Sequence, residues 1–529
     1  MATDSYIVKG AIWTGDSAKP YADCFRVEDG RFAEVGSASA LRPRDGEKVC
    51  DYGEDLIVPG FTDAHMHLTA YSKLHLYKDL ASVGSLEELK EILRAEAAKT
   101  EKGKWLRCIN FNETTWERKI LPHIETLDEV APDTPLILSR YCGHKHIVNT
   151  AGFKKSGLWD STDPNVERDA KGNLTGVINE GGAGCIIDEV AAEYETRETM
   201  RRLLTDTCRH LSSLGIIAVH ANDAPSYALG EALAVMQDMD EDGELPIRVH
   251  CYHDRLPNYD VRSNFGNEKI AFAGLKLFAD GALGSHTAAL NEPYSDDAAN
   301  CGQLNHTDEE LYELLLEAHK RHIQVQIHAI GDKAMEQVVT AIEKVIAACG
   351  KPFLPYRINH AIVCPKELIA RIVKTGSVID LQPIMAHTDR NMAPARLGPE
   401  RTRLVYPFRT FSEAGILLTG SSDAPIEDPN PWLNMWNACT KSNFDGTPIA
   451  GYDASEVVDL STALKFYTVN PWQALGLGDS HGKIKAGYHA DYVAVNGNPF
   501  KLHKADLYKV TNKATFLDGK CVWKEVQHS

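Results

Sequence analysis

The sequence predicts a (β/α)8 TIM barrel accompanied by a small β-sandwich domain that is formed by both termini. Two observations lead to this α/β fold class. Strand and helix patterns alternate through the middle of the chain, whereas both ends contain only strand patterns joined by tight turns. Alternation of this kind favours parallel strands covered by helices, and eight such units close a barrel.

The two ends of the chain both contain hairpin signals. Asp29-Gly30 separates two runs of β-forming residues in RVEDGRFAEVG, and Asp518-Gly519 does the same in ATFLDGKCVW. An Asp-Gly pair between such runs is a strong signal for a two-residue hairpin turn. We therefore predict that residues 1–57 and 484–529 form one β-sandwich. Two unrelated terminal hairpins are the alternative.

Two helices in the middle of the chain begin with capping boxes. Ser85 with Glu88 opens SLEELKEILRAEAAK, and Thr307 with Glu310 opens TDEELYELLLEAHKRH. Apolar residues then recur at the spacing of one helix face. Strand patterns such as IQVQIHA, RINHAI and GILLTGSSD lie further along, so the middle of the chain follows the order expected of a barrel.

The number of strands indicates an insertion inside the barrel. Strand patterns begin near nine positions, one more than a barrel uses: residues 56, 136, 216, 247, 271, 323, 356, 378 and 416. Residues 71–205 contain only one convincing strand, PLILSRYCGH, so we predict that this stretch is an insertion after barrel strand 1. The barrel domain is then expected to span residues 58–483.

Composition excludes several classes of partner. The chain has 529 residues, 43% of them hydrophobic and 25% charged, as in ordinary globular proteins. The formal charge of −18 argues against nucleic acid or an anionic membrane, since both are polyanions. No apolar run approaches the roughly 18 residues of a membrane span, and no signal peptide is visible. The 12 cysteines form no CxxC pair, which indicates reduced thiols and a cytoplasmic location.

His65 and His67 lie in VPGFTDAHMHLTA, where barrel strand 1 is expected to end. Residues at i and i+2 of a strand point to the same face, so the two imidazoles can bind one metal ion. Asp63 shares that face one step deeper and is a candidate to orient the ligands. Taken alone, such a pair is as typical of ordinary core or surface histidines as of a metal site.

Three further polar residues stand at the ends of other predicted strands. His328 lies in IQVQIHA, His360 in RINHAI and Asp423 in GILLTGSSD. Barrels place their chemistry at the C-terminal ends of strands, where these side chains would converge with the two histidines of strand 1. Each residue alone is more typical of a hydrogen-bonded core position, but the coincidence of four strand ends favours a metal site.

Lys276 interrupts an otherwise apolar strand, FAGLKLFADG. A buried lysine without a partner is unfavourable as a cation, and burial lowers its pKa. One explanation is an ion pair with Asp280, which has the same parity on the strand. The other is that the neutral amine captures carbon dioxide. The resulting carbamate would bridge two divalent ions that share an activated hydroxide.

The motifs PGFTDAHMH, KLFADGALGSHTAAL, IHAIGDKA, INHA and GSSDAPIEDPNPW resemble those of the amidohydrolase superfamily, specifically its amidohydrolase 3 (YtcJ-like) group. The stretch YTVNPWQALGLGDSHGKIKAGYHADYVAV fits the same group, so the resemblance covers nearly the whole chain. It implies a (β/α)8 barrel, a β-sandwich made from both termini, and metal-dependent hydrolysis of C–N bonds other than peptide bonds.

The resemblance also implies a role for each ligand. The implied binuclear site consists of His65, His67, Lys276, His328, His360 and Asp423. The first two histidines and the aspartate would hold the more buried ion, the carbamylated lysine would bridge, and the other two histidines would hold the second ion. Asp423 would also act as catalytic base and proton shuttle. The two divalent ions are expected to be zinc, with iron, manganese or cobalt as alternatives, and carbon dioxide is needed for the carbamate.

Four residues around this site are candidates for substrate binding: His144, His220, His286 and Gln382. His144 keeps a Gly-His of the group, although Cys142 stands where an acidic residue is more common. His286 replaces a common arginine, and His220 lies in VHAND, where His-Asp is more usual. Gln382 follows predicted strand 7 in LQPIMAHTDRN. Structural histidines and ordinary packing are the alternative explanation for all four.

These features predict an enzyme that hydrolyses an amide, N-formyl or cyclic ureide bond of a small molecule through a metal-bridging hydroxide. A mononuclear deaminase of a nucleobase-like ring is the first alternative, in which Lys276 would be structural. A catalytically silent amidohydrolase-like scaffold is the second, and it fits less well because all six ligand positions are retained. The expected partner is a small-molecule substrate, and a homodimer is left open.

Overall fold

The computed structural model describes residues 5–74, 76–140, 145–223 and 229–526. Strands and helices are numbered in chain order. The strands are β1 (Tyr6–Trp13), β2 (Tyr21–Glu28), β3 (Arg31–Gly36), β4 (Lys48–Pro59), β5 (Phe61–Met66), β6 (Lys78–Asp79), β7 (Leu106–Phe111), β8 (Leu136–Arg140), β9 (Lys145–Val148), β10 (Val166–Arg168), β11 (Leu174–Asn179), β12 (Ile216–Ala221), β13 (Arg248–His253), β14 (Phe265–Gly266), β15 (Ile270–Phe278), β16 (Gln324–Ala329), β17 (Arg357–His360), β18 (Val378–Leu381), β19 (Leu418–Gly420), β20 (Tyr492–Val495), β21 (Asn512–Leu517) and β22 (Lys520–Lys524).

The helices follow the same numbering, and α12 is interrupted at Gly398. They are α1 (Leu68–Lys73), α2 (Leu86–Lys99), α3 (Ile124–Val130), α4 (Thr150–Lys155), α5 (Gly184–Tyr194), α6 (Arg197–Ser213), α7 (Leu229–Glu241), α8 (Asp308–Lys320), α9 (Asp332–Cys349), α10 (Lys366–Thr375), α11 (Met385–Thr388), α12 (Met392–Thr402), α13 (Phe408–Glu413), α14 (Pro431–Thr440), α15 (Leu460–Tyr467) and α16 (Val469–Ala474). Within the described ranges, none of them is both long enough and apolar enough to cross a bilayer.

The chain divides into two compact bodies, Met1–Tyr71 with Thr205–Ser529, and Ser72–Leu204. Eight strands of the first body run parallel in the order β5-β12-β13-β15-β16-β17-β18-β19. Two backbone hydrogen bonds, of 2.8 Å and 2.7 Å, connect the chain at the end of β5 to the chain after β19. The strands therefore form a nearly closed barrel with intervening helices, and the predicted fold class is confirmed.

The first barrel strand begins later than the sequence pattern indicates. The predicted start, Leu56, belongs to β4, and the barrel strand β5 begins at Phe61. The two strands read as one apolar run because only Gly60 separates them. A Cβ atom on Gly60 would lie 2.4 Å from the side chain of Ile217, so glycine is required where the chain passes from one sheet to the other.

Strands from both ends of the chain join one seven-stranded sheet, in the order β22-β21-β20-β4-β1-β2-β3. Both predicted hairpins are present, and Asp29, Gly30, Asp518 and Gly519 all have positive φ, as two-residue turns of this kind require. The hydroxyl of Tyr6 donates to the carbonyl oxygen of Gly519 at 2.5 Å, so the sheet curls until β1 meets the far hairpin. Its aromatic core contains Phe25, Phe32, Tyr492 and Phe516.

The second body contains a six-stranded sheet in the order β10-β11-β9-β8-β7-β6. The segment PLILSRYCGH, which the strand count assigns to the insertion, supplies β8 of this sheet. Leu136 and Leu138 pack in one hydrophobic cluster and Ile137 packs in another, as the alternation of side chains along a strand dictates. Trp116 belongs to the first cluster and Trp105 to the second.

The two predicted capping boxes differ in detail. At α8, the Thr307 hydroxyl accepts from the backbone N–H of Glu310, and the Glu310 carboxylate accepts from the backbone N–H of Thr307. At α2, Ser85 accepts from Glu88 in the same way, but the Glu88 carboxylate accepts from the backbone N–H of Gly84 at 2.8 Å. Both helices begin where the sequence places them.

Candidate metal centre

Two histidines at the end of β5 face Asp423 after β19. Nε2 of His65 lies 3.1 Å from Oδ1 of Asp423, and Nε2 of His67 lies 3.2 Å from the same oxygen. The ligand atoms of these three residues all lie within 4.8 Å of one another. Closure of the barrel brings the trio together, because Asp423 N donates to His65 O and thereby pairs the last strand end with the first.

The opposite nitrogens of both rings are held by polar groups. Nδ1 of His65 lies 3.2 Å from the side-chain amide of Gln326, and Nδ1 of His67 lies 2.8 Å from the backbone carbonyl oxygen of Asn222. Partners of this kind fix the ring orientation of metal-binding histidines. Asp63, the predicted orienting residue, instead accepts from the backbone N–H groups of His65 and Ser422 and from the Ser422 hydroxyl.

The hydrogen-bonding chemistry of His67 fits a cation at this position. The carbonyl oxygen of Asn222 can only accept, so Nδ1 of His67 carries a hydrogen and Nε2 of the neutral ring presents a lone pair. That lone pair faces Oδ1 of Asp423, a buried acceptor that has no hydrogen-bond donor among the described residues. A divalent cation lying against the neutral ring and the carboxylate would be held by both, since imidazole nitrogens with a carboxylate are typical ligands of divalent metals.

His328 and His360 lie beside this trio. Their ring centroids are 4.4 Å apart, and the His360 ring is 5.5 Å from that of His65. Nε2 of His328 lies 3.0 Å from the carbonyl oxygen of Gly281, and Nδ1 of His360 lies 2.8 Å from Oε1 of Gln382. Each ring is therefore fixed through one nitrogen, and the other nitrogen is the one suited to a second ion.

Two of the candidate ligands have a left-handed backbone. His360 has a φ of 73° and Asp423 a φ of 58°, although neither is glycine. Such conformations cost about 1–3 kcal/mol each and concentrate at functional sites, where the surrounding structure enforces them. At Asp423 the enforcing contact is the backbone hydrogen bond to His65 O.

Burial lowers the pKa of three of the four candidate imidazoles, whereas at His67 the contact with Asp423 outweighs burial and raises the pKa. Burial lowers the pKa of His65 to about 4, aided by the charge of Lys276, and it lowers the pKa of His328 to about 3. The pKa of His360 also lies well below its ordinary value because the ring is buried. Burial alone would raise the pKa of Asp423, yet the neighbouring imidazoles hold it well below the usual range. Neutral imidazoles and an ionised carboxylate are the forms that bind metals.

Lys276 reaches the same region from β15 and is only 2% exposed. Its Nζ donates to Oδ1 of Asn359 and lies 4.9 Å from the ring centroid of Phe278. No ion pair to Lys276 is present within the described ranges. Asp280, the partner that strand parity allows, instead accepts backbone N–H groups, including that of Gly331 at 2.8 Å. Burial lowers the pKa of the Lys276 amine to about 7.

The four candidate histidines and Asp423 form the floor of a cavity of about 380 Å³, a size typical of small-molecule sites, whereas Lys276 does not line it. Much of its wall is apolar. The apolar lining residues are Phe278, Leu283, Ile330, Ile362, Met385, Met392 and Ile426. Two carboxylates, Asp389 and Glu427, also line the cavity.

A sequence profile described as the amidohydrolase family matches residues 48–523. The chain belongs to the amidohydrolase family. The amidohydrolase YtcJ of Bacillus subtilis (strain 168) is 30% identical over 529 residues, which cover 98% of each chain. The N-substituted formamide deformylase of Arthrobacter pascens is 24% identical, and the match covers 98% of this chain and 97% of that protein.

The fold is also similar to that of a solved hydrolase structure. A metal-dependent hydrolase of Pyrococcus horikoshii OT3 superimposes with a TM-score of 0.79 at 25% sequence identity, covering 94% of this chain and 99% of that one. This chain therefore combines an amidohydrolase-family sequence with a fold that is similar to that of a solved metal-dependent hydrolase.

The residues predicted to bind substrate do not share one location, and those that the structure describes do not line the cavity. His144 lies outside the described residues. His220 is 0% exposed and lies inside the barrel, where its Nδ1 accepts from Nη1 of Arg357 at 2.8 Å, and it does not line the cavity. Gln382 is buried and contacts His360, so it holds a candidate ligand.

His286 lies in the loop after β15 without lining the cavity itself. Its Nε2 is 3.0 Å from Oδ1 of Asp296, and its ring packs against Tyr294 with centroids 4.8 Å apart. Two residues of the same loop, Leu283 and Gly284, do line the cavity. The loop thus contributes to the site, while the histidine faces a neighbouring acidic residue.

Sequence reasoning missed four residues that matter at the site. Gln326 and Asn222 hold the rings of strand 1, and Asp389 and Glu427 form an acidic part of the cavity wall. Gln326 shares the parity of His328 in IQVQIHA, so its inward direction could have been inferred. The two acidic residues follow strands in irregular segments, where no periodic pattern distinguishes them from solvated carboxylates.

Proposed function

We propose that the protein hydrolyses a non-peptide C–N bond in a small molecule, of the amide, N-formyl or cyclic ureide class. The observation that carries this proposal is the convergence of His65, His67 and Asp423 beside His328 and His360 on the floor of one cavity. The relation to a formamide deformylase supports the bond class, and the relation to metal-dependent hydrolases supports the use of metal.

The donor set would hold two divalent ions. His65, His67 and Asp423 would ligate one, and His328 and His360 would ligate the other. When bound, such ions supply a Lewis acid for a carbonyl oxygen and lower the pKa of water. We expect zinc, because the ligand atoms are imidazole nitrogen and carboxylate oxygen.

Lys276 would join the two halves of the site as a carbamate. Its neutral amine would attack carbon dioxide, forming an N–C bond and releasing one proton to water, so that a buried neutral amine becomes an anionic oxygen ligand. Burial, the absence of an ion pair in the described ranges, and the proximity of the carboxamide of Asn359 support this reaction. Burial as a cation would be unfavourable for the same residue.

Asp423 would move the proton during hydrolysis. Its carboxylate is ionised and would accept the proton that the attacking water loses, then donate it to the nitrogen that leaves. The backbone contact to His65 and the left-handed φ hold the carboxylate over the floor of the cavity. The apolar walls would exclude bulk water from this step.

Substitution Asp423→Asn tests this role. We expect hydrolysis of N-formyl amines, simple amides and cyclic ureides to fall about 10²- to 10⁴-fold, the range for loss of a general acid–base. Asp428→Asn is the matched control, since Asp428 is exposed, lies five positions along the chain and does not line the cavity. Full activity of Asp423→Asn, or no turnover of any of these compounds by metal-loaded wild-type protein, would contradict the proposal.

A mononuclear deaminase is the second candidate. His65, His67 and Asp423 are close enough together to bind one metal ion without any further ligand, and this arrangement favours the deaminase. Including amino-substituted nucleobase-like rings in the same assay, with ammonia as the readout, separates this function from hydrolysis of an amide or formamide.

A further inference from the structure

We propose that Asp389 and Glu427 form a cation-binding subsite, so that the preferred substrates carry a positively charged group. This inference rests on the proposed function, because the subsite belongs to the cavity above the candidate metal centre. It adds a substrate class to the bond type: an amide or formamide whose scaffold bears an ammonium or another organic cation.

The two carboxylates are anchored to the cavity wall through hydroxyl groups. The hydroxyl of Tyr406 donates to Oδ2 of Asp389, and the hydroxyl of Thr388 donates to Oε1 of Glu427. Each contact engages one oxygen of a carboxylate, and both residues line the same cavity. Tyr406 is itself 4% exposed, so the Asp389 side chain is held on a rigid support.

Among the described residues, no cationic side chain forms an ion pair with either carboxylate. None of the ion pairs among residues 5–74, 76–140, 145–223 and 229–526 involves Asp389 or Glu427. Burial raises the pKa of Asp389 to about 6, and burial with the charges of Asp389 and Asp423 raises the pKa of Glu427 to about 7. Two uncompensated carboxyl groups in a half-buried position therefore favour a positively charged ligand.

The remainder of the cavity suits the apolar part of such a molecule. Met385, Met392 and Ile426 line the same cavity as the carboxylates, together with Phe278, whose ring centroid lies 4.9 Å from Nζ of Lys276. Such a lining would contact the alkyl groups of an organic ammonium, whose charge would lie against the carboxylates. At the floor, Oδ1 of Asp423 is a buried acceptor without a hydrogen-bond donor in the described ranges, so the cavity holds a third carboxylate below the other two.

Calorimetric titration with choline and its neutral carbon isostere 3,3-dimethylbutan-1-ol tests the subsite. A quaternary ammonium does not coordinate metal, so the comparison reads the charge preference of the cavity alone. We expect metal-loaded wild-type protein to bind choline about tenfold more tightly than the isostere, which equals about 1.4 kcal/mol. The preference should shrink several-fold in Asp389→Asn and in Glu427→Gln, while affinity for the isostere stays unchanged.

Asp428→Asn serves as the matched control, because it removes a neighbouring exposed carboxylate that does not line the cavity. It should keep the full preference for choline. Equal binding of the two probes by wild-type protein, no detectable binding of choline, or an unchanged preference in both cavity variants would overturn the subsite. Titration requires no turnover, so these results are independent of whether Asp423→Asn abolishes hydrolysis.

Discussion

At the scale of single residues, amide side chains determine how the histidines face one another. Gln382 contacts Nδ1 of His360 and also donates to the Ser421 hydroxyl at 2.9 Å, which fixes the orientation of its amide. The side-chain amide of Gln326 contacts Nδ1 of His65 in the same way. These contacts make both glutamines positioning residues for the candidate ligands.

Substitution Gln382→Leu should therefore weaken metal binding. Loss of a partner that orients a ligand typically lowers metal affinity about 10- to 100-fold, and we expect a loss in this range. Competition with a chromophoric chelator measures it, with Gln473→Leu on an exposed helix position as the control. An unchanged affinity in Gln382→Leu would show that His360 does not depend on this contact.

The convergence of the candidate ligands could be predicted from the sequence, but their supporting partners could not. Strand periodicity places His328 on the inner face of β16 and His65 with His67 at the end of β5, because side-chain direction alternates along a strand. Gln382 was expected to bind substrate and instead contacts His360. Periodicity gives the face of a residue, whereas its partner depends on how neighbouring strands are staggered.

At the scale of elements, β2 and the segment before β4 are joined by a buried ion pair. Nε of Arg26 donates to Oε1 of Glu47 at 2.9 Å, and the backbone N–H of Arg44 donates to Oε2 at the same distance. Burial alone would raise the pKa of Glu47, yet these donors lower it from 4.5 to about 2. The ionised carboxylate therefore stabilises the terminal sheet.

This ion pair predicts a specific dependence of stability on pH. Because the folded-state pKa of Glu47 is lowered, its stabilisation is fully present above about pH 4.5 and is lost as the pH falls toward about 2. Urea unfolding at several pH values in this range should show that the free energy of unfolding of wild-type protein falls toward that of Glu47→Gln. The exposed Asp45→Asn should follow wild type, and a constant difference between Glu47→Gln and wild type would contradict the assignment.

Helices and hairpins were predictable where local chemistry decides them. The Asp-Gly turns and the N-caps Ser85 and Thr307 depend on a few adjacent residues, and they occur as expected. The start of β5 was placed too early, at Leu56, because an apolar run does not show where a chain changes sheets. Gly60 marks that point through its close approach to Ile217.

At the scale of the whole molecule, alternation of strands and helices predicts the barrel, and the surplus strand predicts the insertion. The strand Leu136–Arg140 belongs to the sheet of the second body, which leaves eight strands for the barrel. The cavity wall was not predictable, because Asp389 and Glu427 reach it from irregular segments after different strands. Their convergence depends on closure of the barrel rather than on any local pattern.

We propose that the strand ends hold two metal ions, and elemental analysis of the metal content per chain tests this directly. Protein expressed with added zinc and purified with bicarbonate and without chelator should contain about two equivalents. His328→Asn should lower this content, whereas His322→Asn at an exposed position should retain it. About one equivalent, or none in folded wild-type protein, would contradict the binuclear centre.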